Sequence, residues 1–213
     1  MSKSRLEAFS DGVFAIVITL LILDVRVPKV PYEELPHAIK ELLPNILAYG
    51  LSFIIVGLYW VSHHQMIGMV KAINRPVLWL NILALMTISF IPFPASLIGE
   101  YPLKTLPVVF YGCSLLVANL VGFISWYYVS RCKELLKDDI SPYVIRGMNL
   151  TFLSVNITYV IAIGIAFFSV WASYVIFVWV ILLMIIRKPW DVNRKHLQKL
   201  QEREKQAGIS SGQ

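Results

Sequence analysis

Residues 5–25 read RLEAFSDGVFAIVITLLILDV, an almost unbroken apolar run behind a short polar head. The head carries four charged or hydroxyl-bearing residues: Arg5, Glu7, Ser10 and Asp11. Only Thr19 interrupts the apolar part before Asp24, so the segment is long enough for a helix that crosses a bilayer, which needs about 20 residues. It lacks the small-residue cleavage site of a signal peptide, and we expect it to be retained. Charged residues at the head of a membrane span are costly and commonly functional.

Further apolar segments predict an all-α integral membrane protein. Of the 213 residues, 57% are apolar, against about 45–50% in soluble proteins. We expect one six-span transmembrane domain over residues 1–189, followed by a basic cytoplasmic tail over residues 190–213. The six expected spans cover residues 6–25, 43–62, 77–98, 106–129, 148–168 and 171–186.

Basic residues are distributed unequally between the two sides of the predicted membrane domain. Six spans place 15 of the 19 Lys and Arg residues on the side that holds both termini, and 4 on the other side. Because cytoplasmic loops carry an excess of Lys and Arg, we predict a multi-pass protein of the cell membrane with both termini in the cytoplasm. The net charge of +6 follows from this topology and does not indicate nucleic-acid binding.

Prolines predict where the helices depart from straight spans. Pro92 and Pro94 lie within the third span and should end or kink its helix near the outer face. The first outer loop, residues 26–42, should contain a short surface helix near residues 33–43.

The first span has one face of bulky aliphatic residues. At about 100° per residue, Ile16, Leu20 and Leu23 share a face, Thr19 lies at its edge, and Asp11 lies nearly opposite. Such a stripe is also typical of ordinary packing or lipid contact, so periodicity alone does not assign it a function. Both polar residues also have ordinary structural roles. Asp11 can be an acid near the helix start, favoured by the helix dipole, and the Thr19 hydroxyl can bond to its own helix.

No constellation of residues indicates catalysis, a resident metal or another cofactor. Because His63 and His64 are adjacent, they point to different faces of a helix, and no Cys or carboxylate is spaced to complete a metal site. No glycine-rich phosphate loop and no Ser/His/Asp or Cys/His arrangement is present. We therefore expect no enzyme activity. Three asparagines within spans have interhelical hydrogen bonding as their ordinary role: Asn81, Asn119 and Asn156.

Polar residues of the first two spans carry a resemblance to a known family. The head of the first span holds the pattern R-x-x-x-F-S-D, formed by Arg5, Phe9, Ser10 and Asp11. This pattern resembles the signature of the transmembrane protein 175 family, the potassium-permeable channels of animal endosomes and lysosomes and of many prokaryotes. Thr19, and Trp60 followed by His63 and His64, are similar to the family as well. Animal members carry two six-span repeats, so this single-repeat chain resembles a prokaryotic member.

The resemblance implies a homotetramer whose first spans line a central pore. Ile16, Leu20 and Leu23 would then form the constriction, with Thr19 beside it. The signature residues would tie the first span to its neighbours through Trp60 and His64, with His63 at the same level as a further partner. We expect a potassium-over-sodium preference, because potassium sheds its hydration water more readily and an apolar ring offers no oxygen ligands. Such a ring can also act as a hydrophobic gate.

Two other functions remain open at this stage. A secondary transporter would show inverted repeats and paired broken helices near the middle of the membrane, together with saturable flux at low turnover. A non-conducting membrane scaffold would show no flux. A channel predicts resolved single-channel current steps carried by potassium and other monovalent cations through a lipid bilayer.

Overall fold

The computed structural model describes residues 2–186, and the regular structure in this range is helical apart from one isolated bridge. Two short 3-10 segments cover Leu21–Asp24 and Tyr32–Glu34. The tail predicted for residues 190–213 lies outside the described residues. The helices are α1 (Lys3–Leu20), α2 (Leu35–Glu41), α3 (Leu43–Gly68), α4 (Arg75–Ser89), α5 (Pro92–Glu100), α6 (Thr105–Arg131), α7 (Pro142–Ala166) and α8 (Val170–Ile186).

Five helical segments in the described range are long and apolar enough to cross a membrane. They cover Lys3–Asp24, Leu43–Gly68, Arg75–Glu100, Thr105–Arg131 and Pro142–Ala166. A sixth apolar helix, α8, has 17 residues and reaches Ile186, the last described residue. At 1.5 Å per residue the described part of α8 is about 26 Å long, against about 30 Å for the hydrocarbon core.

Proline residues interrupt the third apolar segment, as the sequence predicts. Helix α4 ends at Ser89 and α5 begins at Pro92. Pro92 has no N–H to donate to the preceding turn, so the chain starts a new helix there. The predicted short helix in the first loop is also present, as Tyr32–Glu34 followed by α2.

Two helices extend well beyond the apolar runs that predicted them. Helix α3 continues to Gly68, past residue 62, and α7 begins at Pro142 rather than at residue 148. Polar residues end an apolar run without ending a helix, because the backbone hydrogen bonds do not depend on hydropathy. Proline also fits the first turn of α7, where no intrahelical donor is needed.

The larger of two apolar cores joins α1 and α3 through α8. Tyr111, Tyr159 and Phe177 are fully buried in it. The hydroxyl of Tyr59 donates to the carbonyl oxygen of Leu115 at 3.0 Å and lies 2.8 Å from that of Tyr159. These buried hydroxyls are paired, as apolar surroundings require.

The smaller core joins one end of α1, α3, α4, α6 and α7 to two loops. It includes Leu6 of α1, Trp126 of α6 and Val70. Val70 forms an antiparallel bridge with Leu136, with the Lys71 N–H donating to the Leu135 carbonyl oxygen at 2.7 Å. This end of the molecule therefore fixes the beginning of α1 against two connecting loops.

Candidate functional site

Helix α1 packs through one face and leaves the other face uncovered by the rest of the chain. Its buried side chains recur at helical spacing and include Leu6, Ser10, Phe14, Val17 and, in the following turn, Leu21. They pack mainly on α3 and α4. No other helix of the described residues covers the opposite side of α1.

The aliphatic ladder predicted for the first span lies on this uncovered side. Ile16 is 60% exposed, Leu20 42% and Leu23 64%. The chain tightens into a 3-10 turn from Leu21 to Asp24, and residues three apart eclipse one another in such a turn. Leu23 therefore lies directly beyond Leu20, which aligns the ladder more closely than an ideal α-helix would.

Thr19 lies at the edge of the ladder with its hydroxyl turned to its own helix. Its Oγ1 donates to the carbonyl oxygens of Ile16 at 2.8 Å and Ala15 at 3.1 Å, sharing one hydrogen between them. The exposed oxygen keeps lone pairs that can accept from water. Thr19 is thus a fixed acceptor beside the apolar face.

Ser10 of the signature connects α1 to two other helices. Its Oγ is fully buried, donates to the carbonyl oxygen of Leu6 at 2.9 Å, and accepts from Asn81 Nδ2 at 3.1 Å. Asn81 Oδ1 in turn accepts from His63 Nε2 at 2.7 Å. This Ser10–Asn81–His63 network spans α1, α4 and α3, and it accounts for three polar side chains inside the membrane domain.

Asp11 forms the second connection between α1 and α3. The indole Nε1 of Trp60 donates to Asp11 Oδ1 at 2.8 Å. The Trp60 ring stacks on His64 at a centroid distance of 5.7 Å. Asp11 is exposed in the single chain rather than buried, because it lies at the rim where α1 meets α3. Its partner is a neutral indole, a donor that carries no charge.

The other two signature residues are not brought to these partners. Phe9 is exposed on the same side as the ladder, and Arg5 is exposed near the start of α1. Within residues 2–186, Arg5 has no hydrogen bond or ion pair. In the same range, no three His, Cys, Asp or Glu side chains lie close enough to hold a metal.

Lys3 is a site residue that the sequence pattern does not reveal. Its Nζ donates to the carbonyl oxygens of Val70 at 2.9 Å and Gly68 at 3.4 Å. These carbonyls lie at the end of α3, where a cation complements the helix dipole. The sequence shows only a basic residue beside a membrane span. It does not reveal the contact itself, because the partner lies more than 60 residues away along the chain.

Comparison with known proteins places this architecture among channels. Residues 5–92 match the family described as "Endosomal/lysosomal potassium channel TMEM175". A potassium channel of Streptomyces collinus is 34% identical over 172 residues, which cover 78% of this chain and 84% of the relative. A potassium channel of Chryseobacterium is 35% identical over 171 residues, covering 79% and 84%.

A solved structure shows the same fold. The crystal structure of a lysosomal potassium-selective channel TMEM175 homolog from Chamaesiphon minutus superimposes with a TM-score of 0.77 and 28% sequence identity. The match covers 87% of this chain and 97% of that chain. With relatives above 30% identity aligned over most of their length, this multi-pass membrane protein belongs to the TMEM175 family.

Proposed function

We propose that the chain is one subunit of a potassium-permeable channel that prefers potassium over sodium. Four subunits would surround a central pore lined by α1. The observation that carries the proposal is the uncovered aliphatic face of α1, with Ile16, Leu20 and Leu23 all exposed in the subunit. The relatives' names as potassium channels support the choice of ion.

An apolar constriction gives the preference a physical basis. Four copies of Ile16, Leu20 and Leu23 would form three stacked rings without an oxygen ligand, unlike a filter built from backbone carbonyls. A cation must cross these rings with its water or lose part of it. Potassium holds its water less tightly than sodium, so the rings would penalise sodium more and could close to ions when they dewet.

The signature residues would set the rotation of α1 about its own axis. Ser10 is fixed through Asn81 and Asp11 through Trp60, on two different neighbouring helices. Two anchors on different sides hold a helix against rotation better than one. This arrangement supports a positioning role for the signature, with the ladder directed away from both anchors and toward the pore axis.

The same proposal places the six predicted spans in the cell membrane with both termini in the cytoplasm. Lys3, Lys71 and Asp138 gather at one end of the bundle, with Lys71 Nζ 2.7 Å from Asp138 Oδ1. Lys104 directly precedes α6 and Arg131 ends it, so these two residues lie at opposite ends of the helix. The basic residues 190–213 would form a cytoplasmic tail, which agrees with the excess of Lys and Arg on that side.

The reversal potential under bi-ionic conditions tests the proposal. Purified protein in a planar bilayer, with potassium on one side and an equal concentration of sodium on the other, should give resolved current steps whose reversal potential is displaced from zero in the direction of a larger potassium permeability. A reversal near zero would contradict the potassium preference. Saturable flux without current steps would indicate a transporter, and a folded oligomer without any flux would indicate a scaffold.

A further inference from the structure

Two arginines lie at neighbouring helix ends. Arg75 begins α4 and Arg131 ends α6, and both side chains are exposed. Within residues 2–186, neither guanidinium forms an ion pair with a carboxylate. Arg131 Cζ lies 4.9 Å from the ring centroid of Tyr127, a cation–π contact that uses none of its N–H donors. Free guanidinium donors of this kind favour an anionic ligand.

A hydrogen bond holds these two helix ends together. Asn74 caps α4 by accepting from the Val77 N–H at 3.1 Å, and its Nδ2 donates to the Tyr128 hydroxyl at 2.9 Å. Asn74 directly precedes Arg75, and Tyr128 lies about one turn before Arg131. The two arginines therefore lie at the same end of the α4/α6 pair.

Each arginine has an exposed aromatic residue one turn deeper on its own helix. Trp79 follows Arg75 by four residues and is 69% exposed, and Tyr127 precedes Arg131 by four residues and is 47% exposed. Trp and Tyr are enriched at the level of lipid headgroups, where their amphipathic rings fit. Both helices thus show the order expected at a membrane interface, with the basic residue nearer the water and the aromatic residue one turn deeper in the bilayer.

Exposed aliphatic residues continue both stripes into the membrane domain. They recur at helical spacing and comprise Leu83 and Met86 on α4 and Leu120 and Ile124 on α6. At the far end of α4, the Phe90 ring meets the Phe110 ring of α6 at a centroid distance of 6.0 Å. The stripes therefore belong to one α4/α6 surface. The Asn74–Tyr128 hydrogen bond joins the two helices at the end that holds the arginines, and the Phe90–Phe110 contact joins them at the opposite end.

We propose that the α4/α6 surface binds an anionic phospholipid of the cytoplasmic leaflet. The headgroup phosphate would lie between Arg75 and Arg131, and the acyl chains would follow the two apolar stripes. The assignment rests on the cytoplasmic orientation proposed above. Charge complementarity identifies the lipid as anionic, because guanidinium groups form paired hydrogen bonds with phosphate and basic residues near this leaflet attract acidic lipid.

Retention of lipid by the purified oligomer in native mass spectrometry tests the proposal. Wild-type protein should retain phosphatidylglycerol in preference to phosphatidylcholine. Replacing both arginines with glutamine, Arg75→Gln with Arg131→Gln, should weaken phosphatidylglycerol retention by about 30-fold, taking about 1 kcal/mol for each basic residue near the surface. The matched control, Arg26→Gln with Lys29→Gln, removes two charges from the first loop and should behave as wild type.

A charge-preserving variant separates electrostatic capture from damage to the fold. Arg75→Lys with Arg131→Lys should keep the preference for phosphatidylglycerol. Equal retention of both lipids by the wild type, unchanged retention by the glutamine variant, or an equal loss in the control would overturn the proposal. Dissociation of the glutamine variant in lipid-free detergent would also overturn it, because the surface would then be a contact between copies. Since binding is read without current, the result is independent of whether the protein conducts.

Discussion

At the scale of single residues, the side chains of Leu20 and Leu23 would set the width of the proposed pore. Both are exposed on the uncovered side of α1, and they lie one 3-10 turn apart. Ile22 lies between them in sequence and is also exposed, but it points to a different side of the turn. Ile22 is therefore a matched control for Leu23, since the two side chains are both exposed and aliphatic but point to different sides of the turn.

Shortening a ladder residue should widen the constriction. Leu20→Ala or Leu23→Ala is expected to raise single-channel conductance and reduce the potassium-over-sodium permeability ratio severalfold, because a wider ring strips less water from sodium. Current recordings in planar bilayers measure both quantities. Ile22→Ala serves as the control and should keep the wild-type ratio. Wild-type conductance and ratio in both leucine variants would remove these residues from the pore.

The hydrogen bond between Trp60 and Asp11 should contribute to stability as a pair. Trp60→Phe keeps most of the ring but removes the Nε1 donor, and Asp11→Ala removes the acceptor. Each is expected to lower the free energy of unfolding by about 1 kcal/mol, the usual net value of such a bond. Thermal unfolding of the purified protein in detergent measures the losses.

The double variant gives this prediction its control. If the two residues act through one bond, Asp11→Ala with Trp60→Phe should cost clearly less than the sum of the two single changes. Additive losses would mean that the contact contributes nothing of its own. Unchanged stability and assembly in Asp11→Ala would show that the signature acid has no structural role.

At the scale of helices, the close approach of α5 to α3 depends on one glycine. A Cβ at Gly99 would lie 2.8 Å from Asn45 Nδ2 and 3.2 Å from Asn45 Cα. The first atom belongs to a side chain that can move, but the second is backbone of α3 and cannot yield without shifting the helix. The broken helix α4/α5 is therefore held to α3 at a point that has no room for a side chain.

Gly99→Ala should therefore destabilise the protein. Overpacking of this kind typically costs about 1–3 kcal/mol, and the apparent melting temperature of the purified protein should fall. The control is Gly164→Ala in α7, where a Cβ would meet nothing within 4 Å. That change should be neutral or slightly stabilising, because alanine is the better helix former. Equal melting temperatures for the two variants would contradict the close packing.

At the scale of the whole molecule, the uncovered face of α1 predicts an oligomer. In the arrangement that we propose, the first span exposes Ile16, Leu20 and Leu23 toward the first spans of other copies. Mass photometry or native mass spectrometry of the purified protein should give four subunits. A stable monomer or dimer that still conducts would contradict the arrangement of α1 around a central axis.

The sequence predicts those features that depend on short stretches of chain. Apolar runs long enough to span a bilayer predict the helices, and Pro92 predicts the break between α4 and α5. Helical periodicity predicts that Ile16, Leu20 and Leu23 share a face. These properties follow from local backbone geometry and hydropathy, and they need no knowledge of what packs against what.

Contacts between distant residues are the part that the sequence does not predict. An asparagine inside a span indicates a hydrogen bond, but not that Asn81 joins Ser10 to His63. The same holds for the contact of Lys3 with the Val70 carbonyl oxygen. These pairings depend on the three-dimensional packing of the helices, and one sequence contains only the candidates for each partner.

The accessibility of position 23 to a water-soluble cation tests the pore-lining role of α1 most directly. Leu23→Cys, in a protein whose native Cys113 and Cys132 are replaced by serine, would be exposed during current recording to a positively charged methanethiosulfonate reagent. Ile22→Cys in the same background provides the matched control. We predict rapid, irreversible block of the Leu23→Cys channel, slowed by high potassium concentration, with little effect on Ile22→Cys. Unblocked current through the Leu23→Cys channel, with the cysteine shown to be modified, would contradict a pore lined by this face.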